Sequence, residues 1–369
     1  MSSPDGREPC AGNSGARSGA RRSRPAWDVF AWIEEHCAPE PCDTVELIYD
    51  DMESQSNRCL PVVYQPFDGR ERAHWRDRGA IADFAATVRA DGARLLDFGP
   101  GDGWPSLLLA PRAAEVVGVD ASVRRVTVCS ENARRLGLPN AKFVHVLSGQ
   151  PLPFRDSSFD CVTAASSVEQ TPDPRATLRE LARVLRPGGR ARLHYEALRR
   201  YAGEDQRGLW LQSLSESACR LLVYDRDVDG ETVRQLALTY RLPRAQVAAE
   251  LREDRGIGQG PHVDADPSPA DLTPDDLARL APACSGARVC VTTHPSGATL
   301  QGWLIDAGFS EVRPTESGAE AAGRLYDALD ESERPLDLDG VDALVRPVAE
   351  LACERPVPIN LDPMLTAAR

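Results

Sequence analysis

Short apolar runs alternate with amphipathic helical patterns between residues 94 and 195 of the chain. The apolar runs predict five buried strands, at residues 94–98, 116–120, 142–147, 159–164 and 190–195. Between them, apolar residues recur at the three- and four-residue spacing of a helix with one buried face. This alternation predicts strand–helix–strand units and a parallel sheet, whose ligand binds at the carboxyl ends of the strands.

The pattern differs on either side of this segment. Residues near the N-terminus are rich in Ser, Gly and Arg and offer almost nothing to bury, which is typical of disorder. After residue 196 the strand–helix alternation stops for about 95 residues, which are predicted to be largely helical and then loop-like around residues 256–274. The predicted boundaries are a disordered tail at 1–25, a helical lid at 26–92, a ligand-binding core at 93–196, a substrate or cap insertion at 197–295, and a C-terminal part at 296–369 that completes the sheet.

One segment carries recognisable chemistry. Asp97 ends the first predicted strand, and glycines follow it at Gly99, Gly101 and Gly103. Glycines at such a turn permit positive φ and let the backbone approach a ligand closely. Asp120 ends the next strand, 17 residues beyond Gly103. An acid at that position can accept two hydrogen bonds from a ribose diol.

Two further segments follow in order. Residues 152–160 read LPFRDSSFD, and residues 178–189 read LRELARVLRPGG. Together with the acid–glycine loop and Asp120, they resemble the class I S-adenosylmethionine-dependent methyltransferases, in particular the small-molecule, type 11-like subgroup. The resemblance covers residues 94–196. It implies an α/β, Rossmann-like, doubly wound and mostly parallel sheet of about seven strands, with an N-terminal helical lid and a largely helical insertion after the fifth strand.

The resemblance also implies S-adenosylmethionine (SAM) as cofactor. Asp97 and the glycine loop would hold its methionine part, and Asp120 would hold the ribose hydroxyls. Ser148 stands near the place where the family often has an acid that contacts the adenine amine. The implied cofactor-binding residues all follow predicted strands, and they are Asp97, Gly99, Gly101, Gly103, Asp120, Ala121 and Ser148.

Composition narrows the chemistry further. The chain has 369 residues and a net charge of −13, and its 43 basic residues are 42 arginines and a single lysine, Lys142. Lysine-dependent catalysis is therefore not expected, because Lys142 lies in no phosphate-loop context. The acidic charge argues against nonspecific nucleic-acid binding. No apolar run approaches the roughly 18 residues of a membrane span, and the cysteines fit zinc spacing poorly, so no metal is expected.

Methyl transfer from a sulfonium is an in-line displacement, and the family implies transfer to an oxygen, nitrogen or sulfur of a small molecule. A base is needed where the acceptor carries a proton at neutral pH. The candidates near the predicted strand ends are Glu169, His194 and Glu196, and we favour Glu196 because it lies nearest the carboxyl end of its strand. His294, which returns from the insertion toward the core, is a further candidate.

The insertion is expected to select the substrate. Its aromatic residues could form an apolar wall, and its arginines could pair with a carboxylate; the candidates are Trp210, Tyr224, Tyr240, Arg207, Arg226 and Arg255.

Two alternatives remain open for function. Residues 237–251 have a pattern close to a helix-turn-helix, which would indicate a DNA-binding regulator. The chain could also bind SAM and catalyse a reaction other than methyl transfer.

The expected partners follow from this reading. They are a small-molecule substrate, no nucleic acid and no membrane, with a homodimer left open as the oligomeric state. The N-terminus has no apolar stretch of the kind that a signal peptide carries, and the cysteines are too dilute for a disulfide scaffold, so the expected location is the cytoplasm.

Overall fold

The computed structural model describes residues 29–42, 47, 67–195, 198, 207–251, 272–359 and 364–369. The predicted tail at 1–25 and the candidate base Glu196 lie outside these residues, as does Arg255. The described residues form strands that are, in chain order, β1 (Glu40–Pro41), β2 (Arg94–Phe98), β3 (Glu115–Asp120), β4 (Ala141–His145), β5 (Phe159–Ala165), β6 (Leu185–His194), β7 (Arg207–Ser215), β8 (Ala218–Asp227), β9 (Thr232–Tyr240), β10 (Cys284–Thr293), β11 (Ser310–Pro314) and β12 (Met364–Ala368).

Helices connect and cover these strands. In chain order they are α1 (Val29–Cys37), α2 (Arg72–Val88), α3 (Ser106–Leu109), α4 (Val123–Arg135), α5 (Pro174–Val184), α6 (Arg244–Glu250), α7 (Pro274–Leu280), α8 (Gly297–Asp306), α9 (Gly318–Ala328) and α10 (Leu338–Ala352). Side-chain caps start several of them: the Ser122 hydroxyl begins α4 and the Asp173 carboxylate begins α5, each accepting a free backbone N–H of the first turn. None of these helices has the length and apolarity needed to cross a lipid bilayer.

Seven strands form one sheet in the order β11–β12–β6–β5–β2–β3–β4. The pairs from β6 through β5, β2 and β3 to β4 are parallel, and β12 joins antiparallel to its neighbours. This confirms the predicted doubly wound, mostly parallel α/β sheet, including its C-terminal strand. The chain runs outward from β2 to β3 and β4 and then returns to β5 and β6. The carboxyl ends of β2 and β5 therefore flank the switch point at which such sheets bind ligands.

The core of this sheet follows from the alternation of side chains along each strand. Leu95 of β2 packs with Phe84 of α2 on one face, and Leu96 packs with Leu178 of α5 on the other. Both faces are covered by helices, so the strands carry continuous apolar runs rather than an alternating pattern. That is why the sequence reveals them clearly.

The prediction of a largely helical insertion was wrong. Strands β7 to β10 form an antiparallel sheet in the order β10–β9–β8–β7, and β1 adds to its edge in parallel with β10. One face packs on α1, α6 and α7, where Leu221 and Val223 are buried, and the opposite face buries Trp210 and Leu222. Because both faces are buried, these strands lack the polar–apolar alternation that would have distinguished them from buried helices.

The helix-turn-helix interpretation of residues 237–251 is corrected by the same sheet. Residues 237–240 are the end of β9 and pair with β10, with Leu238 opposite Ala287. Only the second half of the pattern is helical, as α6. A DNA-binding hairpin needs two helices there, so this alternative is wrong.

The described residues of the N-terminal segment 26–92 are divided between the two sheets. Helix α1 and strand β1 belong to the second sheet, whereas α2 packs on the seven-stranded sheet and against α9 and α10. The role of this segment as a lid stays a prediction.

A buried ion pair ties α2 to the seven-stranded sheet. Arg192 of β6 and Asp83 of α2 are both fully buried, and their charged groups lie 2.7 Å apart. The Arg192 guanidinium also donates to the hydroxyls of Thr315 and Thr366, and Asp83 accepts the backbone N–H of Gly318, at the start of α9. This network joins four parts of the chain at one point.

We predict that Asp83→Asn lowers the free energy of unfolding by about 3–5 kcal/mol, because it leaves the Arg192 charge buried without its counter-ion. Urea denaturation followed by circular dichroism measures this loss. Asp306→Asn is the matched control, since Asp306 pairs with Arg175 on the surface, where both side chains are about half exposed. Equal stability of the two variants would contradict the prediction.

Candidate active site

A buried carboxylate lies where β2 ends. Asp97 is completely shielded from solvent; its Oδ1 accepts the Thr163 hydroxyl of β5 at 2.9 Å, and its Oδ2 accepts the Ser106 hydroxyl at the start of α3. Burial raises the pKa of Asp97 to about 7, against the lowering effect of those two donors. The side chain thus bridges two strands and the helix that follows the glycine loop. The observed partners of Asp97 are protein groups, so this carboxylate anchors the glycine loop to β5 and to the start of α3.

The glycine loop is shaped by three residues with positive φ: Gly99 at 73°, Gly101 at 59° and Gly103 at 108°. At Gly99 a side chain would collide with Ser167, whereas a methyl group on Gly101 would meet open space. The Gly99 N–H donates to the Val119 carbonyl at 2.9 Å, so the start of the loop is also hydrogen-bonded to the end of β3. The backbone at Gly101 is therefore accessible, so a ligand can approach it closely.

Asp120, at the end of β3, faces the same loop. Its Oδ2 accepts the N–H of Gly101 at 3.2 Å and its Oδ1 accepts the N–H of Ser122 at 2.9 Å. Burial raises the pKa of this carboxyl, and the backbone donors oppose the effect. Each carboxylate oxygen can accept more than one hydrogen bond, so two backbone bonds leave capacity for a vicinal diol. Asp120 therefore suits the ribose role that the sequence predicts for it.

Two unusually exposed apolar side chains lie beside Asp120. Val123, at the start of α4, is 59% exposed, and Leu147, just after β4, is 53% exposed. Ala121 is held near the end of β4, where its carbonyl lies 3.0 Å from Nε2 of His145. Ser148 follows Leu147 and is half-buried. Exposed apolar groups next to polar ones fit a flat aromatic ring with polar edges, as adenine is.

A serine–histidine pair lies at the ends of β5 and β6. The Ser166 hydroxyl and Nδ1 of His194 are 2.9 Å apart, and the Ser166 N–H donates to the His194 carbonyl at 2.7 Å. Ser166 has a φ of 50°, a conformation that directs the chain sharply after β5. The sequence marks His194 as a candidate base but gives no sign of Ser166, because only the register between β5 and β6 brings the two together.

The other predicted bases lie elsewhere. Glu169 is buried in the turn after β5. The backbone N–H of His294 donates to the Glu231 carbonyl at 2.7 Å, which places His294 just after the end of β10, beside the start of β9. The roles of both residues stay predictions, as does that of Glu196. Within the described part of the chain, no three His, Cys, Asp or Glu side chains are grouped so that they could hold a metal ion.

Comparison with known proteins gives matches to the segment that contains this site. A family model described as a methyltransferase domain matches residues 96–193. The uncharacterized methyltransferase YcgJ of Bacillus subtilis (strain 168) is 39% identical over 104 residues, which are 28% of this chain and 41% of that protein. The 27-O-demethylrifamycin SV methyltransferase of Amycolatopsis mediterranei (strain S699) is 33% identical over 131 residues, 32% of this chain and 48% of that protein.

Among solved structures, the crystal structure of YcgJ is 37% identical and covers 32% of this chain and 50% of that chain, with a TM-score of 0.30. The chain thus spans about half the length, or less, of these relatives. Over the matched segment, the resemblance to methyltransferases is confirmed.

We predict that Gly99→Ala destabilises the protein more than Gly137→Ala does. Both residues have positive φ, near 70°, which costs an alanine about 1–2 kcal/mol. A methyl group on Gly137 meets no atom within 4 Å, whereas one on Gly99 collides with Ser167. Urea denaturation gives the free energy of unfolding of each variant, and the difference between the two losses is the cost of the collision with Ser167. Equal losses would contradict the close packing of the loop.

Proposed function

We propose that this chain, whose residues 96–193 match the methyltransferase domain family, transfers a methyl group from SAM to an oxygen, nitrogen or sulfur of a small molecule. The observation that carries the proposal is the arrangement at the ends of β2 and β3. There a buried Asp97 fixes the glycine loop, and Asp120 closes on that loop through Gly101. These contacts lie at the carboxyl edge of the parallel sheet, beside its switch point.

When bound, SAM supplies a methyl group that its sulfonium has already activated for displacement. The chain's task is then to bind and orient two reactants, which can remove roughly 7–11 kcal/mol of barrier in favourable cases. Asp120 accepts the ribose hydroxyls, the backbone at Gly101 lies against the cofactor, and Val123 and Leu147 cover the adenine.

For an acceptor that carries a proton, we propose His194 as the base. If its Nδ1–H donates to the Ser166 hydroxyl, Nε2 is the unprotonated ring nitrogen, which is the atom that can accept a proton. Ser166 would then fix the tautomer and the ring orientation. This choice revises the preference for Glu196, because His194 has a described partner at the carboxyl edge of the sheet.

The second sheet is proposed to select the substrate. Of the predicted set, Trp210 and Tyr224 lie on one face, and the Arg226 guanidinium stacks on the Tyr224 ring at 5.2 Å. Tyr240 is buried on the opposite face, and Arg207 pairs there with Asp225. Trp210 is buried, whereas Tyr224 and Arg226 are partly exposed, and this aromatic–arginine pair suits a small organic molecule with an anionic group. The names of the relatives, a demethylrifamycin and a demethylmenaquinone methyltransferase, support a small-molecule acceptor.

The remaining expectations belong to the same proposal. A cytoplasmic location belongs to the proposal because ten cysteines in 369 residues are too dilute for a disulfide scaffold. The homodimer and the lack of a nucleic-acid partner stay predictions.

We predict that S-adenosylhomocysteine (SAH) binds the protein and that Asp120→Ala weakens the binding at least tenfold. Removing the carboxylate removes acceptors for two hydroxyls, at about 1.5–3 kcal/mol for each charged hydrogen bond. Isothermal titration calorimetry measures the affinity, and circular dichroism checks that the variant is folded. Asp156→Ala, in an exposed turn, is the control. Absence of binding to the wild type, or unchanged affinity in Asp120→Ala, would refute the proposal.

We predict that His194→Gln lowers kcat for a hydroxyl acceptor by about 10²–10⁴-fold, the usual contribution of a general base, and leaves SAH affinity unchanged. A screen of small molecules with methyl-labelled SAM identifies the acceptor, and single-turnover transfer of the label gives the rate. Ser166→Ala should show a smaller loss of the same kind. An unchanged kcat would exclude His194 as the base, and a product without label would favour a reaction other than methyl transfer.

A further inference from the structure

A second acid approaches the glycine loop from outside the matched segment. Asp77 lies on α2, and its Oδ1 accepts the indole N–H of Trp104 at 2.7 Å. Trp104 comes directly after Gly103 and is held edge-on against Phe84 of the same helix, with ring centroids 5.5 Å apart. Asp77 is therefore fixed in position at the far end of the loop from Asp120.

The other oxygen of this carboxylate has an unusual environment. Oδ2 of Asp77 is shielded from solvent and accepts no hydrogen bond from any residue that the structure describes. A buried oxygen of this kind costs free energy until a donor reaches it. Burial raises the pKa of Asp77 to about 6, and the neighbouring Asp102 adds to the effect, while Trp104, Arg78 and His74 oppose it.

The nearby cations are engaged with other groups. The Arg78 guanidinium forms a bidentate pair with Asp342 of α10, with Nε 2.6 Å from Oδ1. Nδ1 of His74 lies 3.0 Å from the backbone nitrogen of Asp68. Asp77 and Asp102 thus form an acidic end of the loop whose best complement is a cation with N–H donors.

The other two acids of the site have different partners. Asp97 is enclosed by the hydroxyls of Ser106 and Thr163, and Asp120 holds the N–H groups of Gly101 and Ser122. Among the three, Asp77 is the acid whose buried oxygen has no partner in the described chain.

We propose that Oδ2 of Asp77 binds the α-ammonium group at the methionine end of the cofactor. The inference rests on the proposed function, because it takes SAM as the ligand of the loop. It assigns to α2, outside residues 96–193, a residue that completes the cofactor site. An ammonium group carries the charge and the donors that this oxygen lacks. Asp77 then aligns the methionine end of the cofactor while Asp120 holds its ribose.

The test compares two nucleosides that differ at the methionine end. SAH has the α-ammonium group, and 5′-methylthioadenosine lacks the whole amino acid. We expect Asp77→Asn to weaken SAH binding at least tenfold at pH 7.5 and to change 5′-methylthioadenosine binding less than twofold, both measured by titration calorimetry. Asn retains an oxygen for the Trp104 indole. Asp91→Asn, in a surface pair with Arg112, is the matched control and should change neither affinity.

A pH series gives a second readout. Below pH 6 the Asp77 carboxyl takes up a proton in the free protein, and that proton must leave before an ammonium group can pair with the carboxylate. The affinity of the wild type for SAH should therefore fall by about tenfold more than that of Asp77→Asn between pH 7.5 and pH 5. The two proteins differ at this one residue, so the difference between their pH profiles isolates Asp77.

Three results would overturn the inference. If Asp77→Asn weakens the binding of both nucleosides equally, Asp77 only supports the fold. If the variant binds SAH with unchanged affinity, Asp77 binds no group of the cofactor. Failure of the wild type to bind SAH would refute the proposed function itself and the inference with it. If Asp77→Asn does not fold, Asp77→Ser is titrated instead, with the same expectations.

Discussion

The buried carboxylate of Asp97 holds the structure of the site together. It accepts hydroxyls from β5 and from the first turn of α3, so the end of one strand, its neighbour and the next helix meet at one side chain. The loop between Asp97 and Ser106 has little freedom once these bonds form. That restraint lets glycines with positive φ remain ordered and keeps the backbone at Gly101 within reach of Asp120. The proposed cofactor site is a consequence of this anchoring.

A second buried contact extends the same order to the N-terminal segment. Asp83 and Arg192 fix α2 on the seven-stranded sheet. Asp77 lies six residues before Asp83 on that helix, so the ion pair also determines where Asp77 meets Trp104. Helix α2 therefore carries both Asp83, which stabilises the fold, and Asp77, the residue proposed to bind the cofactor. The proposed cofactor site thus includes a residue from a part of the chain that lies outside the family match at residues 96–193.

The sequence predicts the parallel core well, because its strands are buried on both faces, have typical lengths and alternate with capped helices. The same double burial hides β7 to β10, where no loop–helix alternation marks the strands and where β1 arrives from far away in the chain. Asp97, the glycines and Asp120 are recognisable because they lie close together in sequence. Ser166 with His194 and Asp77 with Trp104 are not, since strand register and helix packing create those pairs.

The central claim is that the edge formed by β2, β3 and β4 is a SAM site. A crystal structure of the protein grown with SAH tests it most directly. We predict density for the ribose hydroxyls on Asp120, for the adenine between Val123 and Leu147, and for the amino acid along the glycine loop. A well-ordered structure at saturating SAH with no nucleoside density at this edge, or with the nucleoside bound elsewhere, would contradict the account.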